Sequence, residues 1–176
     1  MVLLVPAQFS TARLRAERMA AAHVAELRAM HTCEPMMAMI GGVRDEPGTL
    51  AYLERHLLHW EEHGFGFWML YDAASGASAG LAGLRRLVLD GIDEVEVGYG
   101  FLPGFWGRGL GTEIAHACVA IGFGELGLPS LVALTKRENR ASQDVLRKVG
   151  MLLDHEVTRE GTSATIFRIN RSGSAP

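Results

Sequence analysis

A chain of 176 residues with 48% hydrophobic and 21% charged side chains has the balance of a globular protein, not of a disordered one. At this length folding removes roughly 70% of the unfolded chain's surface from water, so neither disulfides nor a metal is needed to stabilise a core. The net charge of −3 excludes a general basic field for holding nucleic acid. No run approaches the roughly 18 apolar residues of a membrane span. Cys33 and Cys118 lie far apart without CxxC spacing, which argues against a cysteine zinc site and fits a reducing cytoplasm. The N-terminal apolar run ends at Pro6 and has no basic residue before it, unlike a secretory signal.

No internal repeat or low-complexity segment divides the chain, so residues 1–170 are expected to form one domain, with residues 171–176 frayed. Residues 9–16 read as a first strand, and Met19, Val24, Leu27 and Met30 place a helix over 17–30. Residues 31–48, with Pro35, Gly41-Gly42 and Pro47, read as loop with at most one helical turn. Leu50, Leu53, Leu57 and Trp60 then mark a second helix that starts near Pro47 and stops at Gly64. Three strands follow: Phe65 to Tyr71, Ala79 to Leu89, and the alternating segment around Val95, Val97 and Tyr99, the last two joined by the hairpin signal Asp90-Gly91. A helix with Leu110, Ile114, Cys118 and Ile121 on one stripe comes next, then a short buried strand over 131–134. Asn139 caps a last helix that ends at Gly150, and a hairpin around Glu160-Gly161 closes the chain. The order is β-α-α-β-β-β-α-β-α-β-β, an α/β (α+β) mixed sheet with helices on its faces.

The segment Pro103-Gly104-Phe105-Trp106-Gly107-Arg108-Gly109-Leu110-Gly111-Thr112-Glu113 lies between a strand end and a helix start. Its glycines let the backbone turn tightly and leave the first N–H groups of the helix uncovered. Those donors and the positive helix end suit a phosphate or pyrophosphate, to which Arg108 can add a charge-assisted bond. The pattern is neither GxxxxGK[ST] nor GxGxxG, which excludes a P-loop and disfavours a dinucleotide fold.

Together with Asn139-Arg140-Ala141-Ser142 and the Lys148-Val149-Gly150-Met151 helix end, this segment resembles the GNAT family of acetyl-CoA-dependent N-acyltransferases. The similarity is greatest to the RimJ/RimL-like branch of protein N-terminal acetyltransferases. The family loop Gln/Arg-x-x-Gly-x-Gly/Ala aligns to Trp106 through Gly111, with Trp106 at the departing position as is usual in that branch. Thr11-Ala12-Arg13-Leu14-Arg15 and Glu96-Val97-Gly98-Tyr99 match the branch's opening strand and the strand before its loop.

The resemblance implies a GNAT-like fold with acetyl-CoA in a cleft where the third hairpin strand splays from the strand at 131–134. The loop around Gly107, Arg108, Gly109, Leu110, Gly111 and Thr112 would hold the pyrophosphate. Backbone near Phe101 and Leu102, with Asn139, would hold the pantetheine arm.

Direct transfer to an amine requires a base and a proton for the departing thiolate. Glu96 occupies the branch's position near the amine. Glu94, on the same strand face, would help raise a carboxylate pKa, unless both pair with Arg85 and Arg86 on the neighbouring strand. The family's proton-donating Tyr is Leu146 here, which leaves Ser142 as candidate acid. His56, His59 and His63 are spaced along one helix, but three ligands from one helix do not easily surround an ion; they are expected to form a solvated face or part of the acceptor-site rim, and no metal is expected. Met30, Met36, Met37 and Met39 with Trp60, Phe65, Phe67 and Trp68 are core residues by default and acceptor-pocket residues in the alternative.

The expectation is therefore an N-acetyltransferase acting on a protein N-terminus or a small amine, with no nucleic-acid or membrane partner. The alternative is a non-catalytic acyl-CoA-binding module. Members of this family often dimerise, and the sequence leaves a homodimer open.

Overall fold

The computed structural model describes residues 4–159 and 162–171. The Glu160-Gly161 turn and the tail beyond Arg171 lie outside the described residues. The first half contains strands β1 (Gln8–Ser10) and β2 (Leu14–Arg18), helices α1 (Val24–His31), α2 (Glu34–Met37) and α3 (Glu46–His63), and strands β3 (Phe67–Asp72), β4 (Ser78–Leu89) and β5 (Ile92–Phe101). Helix α4 (Leu110–Gly124), β6 (Ser130–Lys136), α5 (Arg140–Lys148), β7 (Leu152–Arg159) and β8 (Thr162–Asn170) complete it.

The expected strand over 9–16 is instead a hairpin. Thr11 turns the chain: its N–H donates to the Leu14 carbonyl at 2.9 Å and its hydroxyl accepts from the Leu14 N–H at 3.2 Å. The arms then pair Phe9 with Ala16. Sheet pairing also shortens the first helix, because Arg18 and Met19 donate their N–H groups to Ala7 and Phe67 carbonyls. The helix begins only at Val24, after a single tight turn at Ala21–His23. The 31–48 segment carries its one helical turn as α2. Asp45 caps α3 by accepting from the Gly48 N–H, and Gly64, in the left-handed region, ends it.

The sheet runs β1-β2-β3-β4-β5-β6-β8-β7, and every neighbouring pair is antiparallel except β5 and β6. That exception follows from α4, which carries the chain back so that β6 starts at the same end as β5. Strand side chains alternate between two cores. Phe67, Met69, Tyr71 and Leu81 pack under α1–α3 with Leu27, Met30 and Leu53. Trp68, Leu70, Leu84, Val95, Val97 and Phe101 pack against α4 and α5 with Ile114, Cys118 and Leu146.

Trp60 reaches across from α3, donates its indole N–H to the Phe67 carbonyl at 2.9 Å, and meets Trp68 edge-to-face at 5.3 Å. Both indoles are fully buried, so truncating either to alanine costs about 3–5 kcal/mol. The methionine and aromatic cluster is therefore mostly core; of its members only Phe67 also lines a cavity, and Met39 is exposed. Among the described residues no helix is long and apolar enough to cross a membrane.

Candidate active site

Strand β5 runs out at Phe101 into a tight turn at Pro103–Phe105, where the Trp106 indole N–H donates to the Phe101 carbonyl at 2.7 Å. Gly107 and Gly109 then adopt φ of 71° and 75°, a region unfavourable to other residues. Gly109 is the N-cap of α4, and among the described residues no side chain bonds the N–H groups that follow it. The helix therefore presents uncapped donors at its positive end.

Two arginines frame this turn. The Arg13 guanidinium donates to the Arg108 carbonyl at 2.6 Å and to Glu113 at 2.7 Å, and Thr11 also bonds Glu113, so the β1–β2 hairpin holds the loop. Arg108 lies over the Phe105 ring and donates to Asp72 at 3.3 Å. Its charge is shared with Asp72, whose carboxyl is held low first by the Ser75 hydroxyl and further by Arg108. The uncapped N–H groups, the open space beside Gly107 and the two flanking guanidiniums fit a pyrophosphate.

Strands β5 and β6 share one paired position, Glu96 with Val132, and part beyond it. The Leu102 N–H donates to Ala79 in the direction of β4. By the alternation of an antiparallel ladder, Tyr99 and Phe101 turn their amides the other way, to the edge that β6 has left. That open edge can pair with the amides of an extended ligand. Leu102, grouped with Phe101 by the sequence, points its amide into the sheet instead. Asn139, across the gap, caps α5 by accepting from the Ser142 N–H at 3.1 Å.

A cavity of about 170 Å³ fills the opening, with Glu96, Tyr99, Ala133, Ser142 and Leu146 on the sheet and α5 side. Arg44, Tyr52, His56, Phe67 and Arg85 line the α3 and β4 side. Glu96 is buried and its Oε2 accepts both bonds from Arg85, one of them at 3.0 Å. Neither bond falls on Oε1, which leaves that oxygen available for a proton. Glu94 does not act with Glu96: Arg168 of β8 binds it at 2.8 Å.

The Tyr99 hydroxyl lies 3.0 Å from Ser142 Oγ. Burial pushes Tyr99 up to about 12, against the lowering effect of the Ser142 bond, so this pair stays protonated. His56 stacks between Tyr52 (4.3 Å) and Phe67 (4.8 Å). Burial, then Arg85 and Arg55, drive it down to about 3, and neither of its ring nitrogens has a partner. His59 bonds the Phe65 carbonyl and the Arg86 N–H, and His63 stacks on its ring at 4.6 Å. The three histidines therefore face different surroundings.

The fold thus brings Glu96 and Ser142 into one cavity and sets the loop residues Gly107–Thr112 at the start of α4. Sequence reasoning did not assign Arg13, Tyr99 or Arg44 to the site; it offered His56 as part of a solvated face or of the acceptor-site rim, and the ring is instead buried in the cavity wall, and it offered Arg85 as a partner of Glu96. One of these was readable: a two-residue Asp90-Gly91 turn puts Arg85 opposite Glu96 by counting. Arg13 and Arg44 come from distant segments with no local pattern to mark them, whereas Tyr99 lies on the same strand as Glu96.

A mixed sheet with one parted parallel pair and an uncapped glycine turn at its mouth has the shape to take an extended ligand along a strand edge, with an anionic group at the turn. A family model described as an acetyltransferase (GNAT) domain matches residues 13–152, and the chain belongs to that family. It is 27% identical to an acetyltransferase from Agrobacterium tumefaciens str. C58, covering 95% of each chain with a TM-score of 0.82. It shares its fold with a ribosomal-protein-S5-alanine acetyltransferase from Vibrio fischeri, at 12% identity and a TM-score of 0.78 over 97% of this chain and 100% of that one. The uncharacterized protein YkkB of Bacillus subtilis (strain 168) is 28% identical over 116 residues, 66% of this chain and 67% of its own.

Proposed function

We propose that this chain, as one domain over residues 1–170, transfers an acetyl group from acetyl-CoA directly to a primary amine. The observation that carries the reading is the meeting of a buried carboxylate, Glu96, and a protonated hydroxyl pair, Tyr99 and Ser142, in the cavity where β5 and β6 part. Acetyl-CoA supplies the activated acyl carbon. The amine nitrogen bonds that carbon, the C–S bond breaks, the amine's proton passes to Glu96 directly or through water, and the thiolate takes a proton from Ser142. Arg85 keeps Glu96 fixed in place, and Tyr99 holds the Ser142 hydroxyl and relays to it the proton that Glu96 took up, returned through water, so that the carboxylate and both hydroxyls are restored. In this reading the hydroxyl pair takes over the task of the tyrosine that Leu146 replaces.

Gly107 to Thr112 with Arg13 hold the pyrophosphate, Phe101 and Tyr99 pair with the pantetheine amides, and Asn139 closes the other side. No metal takes part, and two free cysteines suit the cytoplasm. Release of CoA thiol that requires an added amine is the expected result. Tight acetyl-CoA binding without turnover, indifferent to Glu96→Gln, would favour the acyl-CoA-binding module instead.

A further inference from the structure

The sequence leaves open whether the acceptor is a peptide end or a small amine, and the cavity bears on that choice. Its volume of about 170 Å³ is below the roughly 300 Å³ where drug-sized ligand pockets begin. Lys136, at the end of β6, donates its ammonium to the Ala38 carbonyl at 2.8 Å and so ties the α2 segment across the parted strands. Ile40 from that segment also lines the cavity and packs over Gly100.

The electrostatics of the far wall are cationic. Arg85 is paired with Glu96, but Arg44 has no carboxylate partner among the described residues. Its guanidinium lies over the Tyr52 ring at 5.0 Å, and its closest polar contacts are the Met37 sulfur at 3.8 Å and the Ile40 carbonyl at 3.5 Å. Beside it His56 is 1% exposed with both ring nitrogens unpartnered. A buried neutral imidazole offers one donor and one acceptor, and leaving both empty is costly unless a ligand fills them. Burial first, then Arg85, Arg55 and Arg44, lower the protonation of this ring, so the three guanidiniums add a positive field at the wall.

We infer that the acceptor is a small primary amine carrying a carboxylate, held with its anionic end on Arg44, its polar groups on His56 and its nitrogen beside Glu96. Such a molecule satisfies each open group at once. A basic peptide would put its positive charges against arginines and its chain against the Lys136–Ala38 tie. The inference rests on the acetyl-transfer reading above.

The test measures thiol release from acetyl-CoA with α- and ω-amino acids, their carboxamides, and short peptides as acceptors. At least one free acid is expected to exceed its carboxamide about tenfold in kcat/KM. Arg44→Gln should raise KM for that acid about tenfold, bring the acid-to-carboxamide ratio of kcat/KM close to one, and be partly rescued by Arg44→Lys. Carboxamides or peptides that match or exceed the acids, or an acid preference that survives Arg44→Gln, would overturn the inference and leave acetyl transfer to an amine standing. Absence of acetylation with every amine would overturn both.

Discussion

The turn that opens α4 and the cavity between β5 and β6 both belong to the site, but they are built by opposite means. The turn is made of one contiguous stretch, Gly107 to Thr112, and acts through backbone N–H groups that exist whatever the side chains are. The cavity draws on seven segments, and what faces it is side chains, among them Glu96, Tyr99, Ser142, Arg44 and His56. A backbone site tolerates sequence change but not bulk or negative charge. A side-chain site tolerates bulk at its rim but not the loss of a functional atom.

The largest expected effect lies on the turn. Thr112→Glu keeps a residue that suits the first turn of a helix but sets a carboxylate beside the anion position, and acetyl-CoA affinity should fall about 100-fold or more by calorimetry. An unchanged affinity would show that the turn is only structural. Gly109 is the poorer position for this test, because its left-handed backbone would strain any replacement.

On the cavity side, Glu96→Gln should lower kcat about 100-fold while acetyl-CoA still binds, which separates the two regions in one experiment. Two buried histidines, His56 in the cavity wall and His31 against Thr49 of α3, predict a pH effect the turn does not share. Burial, then Arg85, holds His56 near 3, and burial, then Arg44, holds His31 near 4, both from 6.5. The unfolded chain therefore binds more protons below pH 6.5, so stability is full above that value and declines as pH falls toward 4. His56→Phe, placed between Tyr52 and Phe67, should recover about 2 kcal/mol at pH 5 relative to its effect at pH 8, read by chemical denaturation. The smallest effect is on the hydroxyl pair. Ser142→Ala and Tyr99→Phe should each reduce kcat about tenfold, and the double variant no further, as expected of groups acting in series.

Regions with a local code were legible in the sequence. The α3 limits follow from Asp45, Pro47 and Gly64, and the α5 start follows from Asn139, because caps act within one turn of the chain. The β4–β5 hairpin and its register follow from Asp90-Gly91. The first strand was misread because Thr11 forms its turn with ordinary residues, and the first helix because sheet partners claimed Arg18 and Met19. Tyr99, read as a core residue, is only partly buried against the core, and its hydroxyl meets Ser142 from a helix 43 residues further on.

The sequence alone determined the family, the order of most elements and the place of the glycine turn that opens α4, because each depends on residues adjacent in the chain. Only the tertiary structure decided which groups share the cavity. Where β5 and β6 part, and that α2, α3 and α5 converge there, depends on packing across the whole sheet, and no local pattern carries that information.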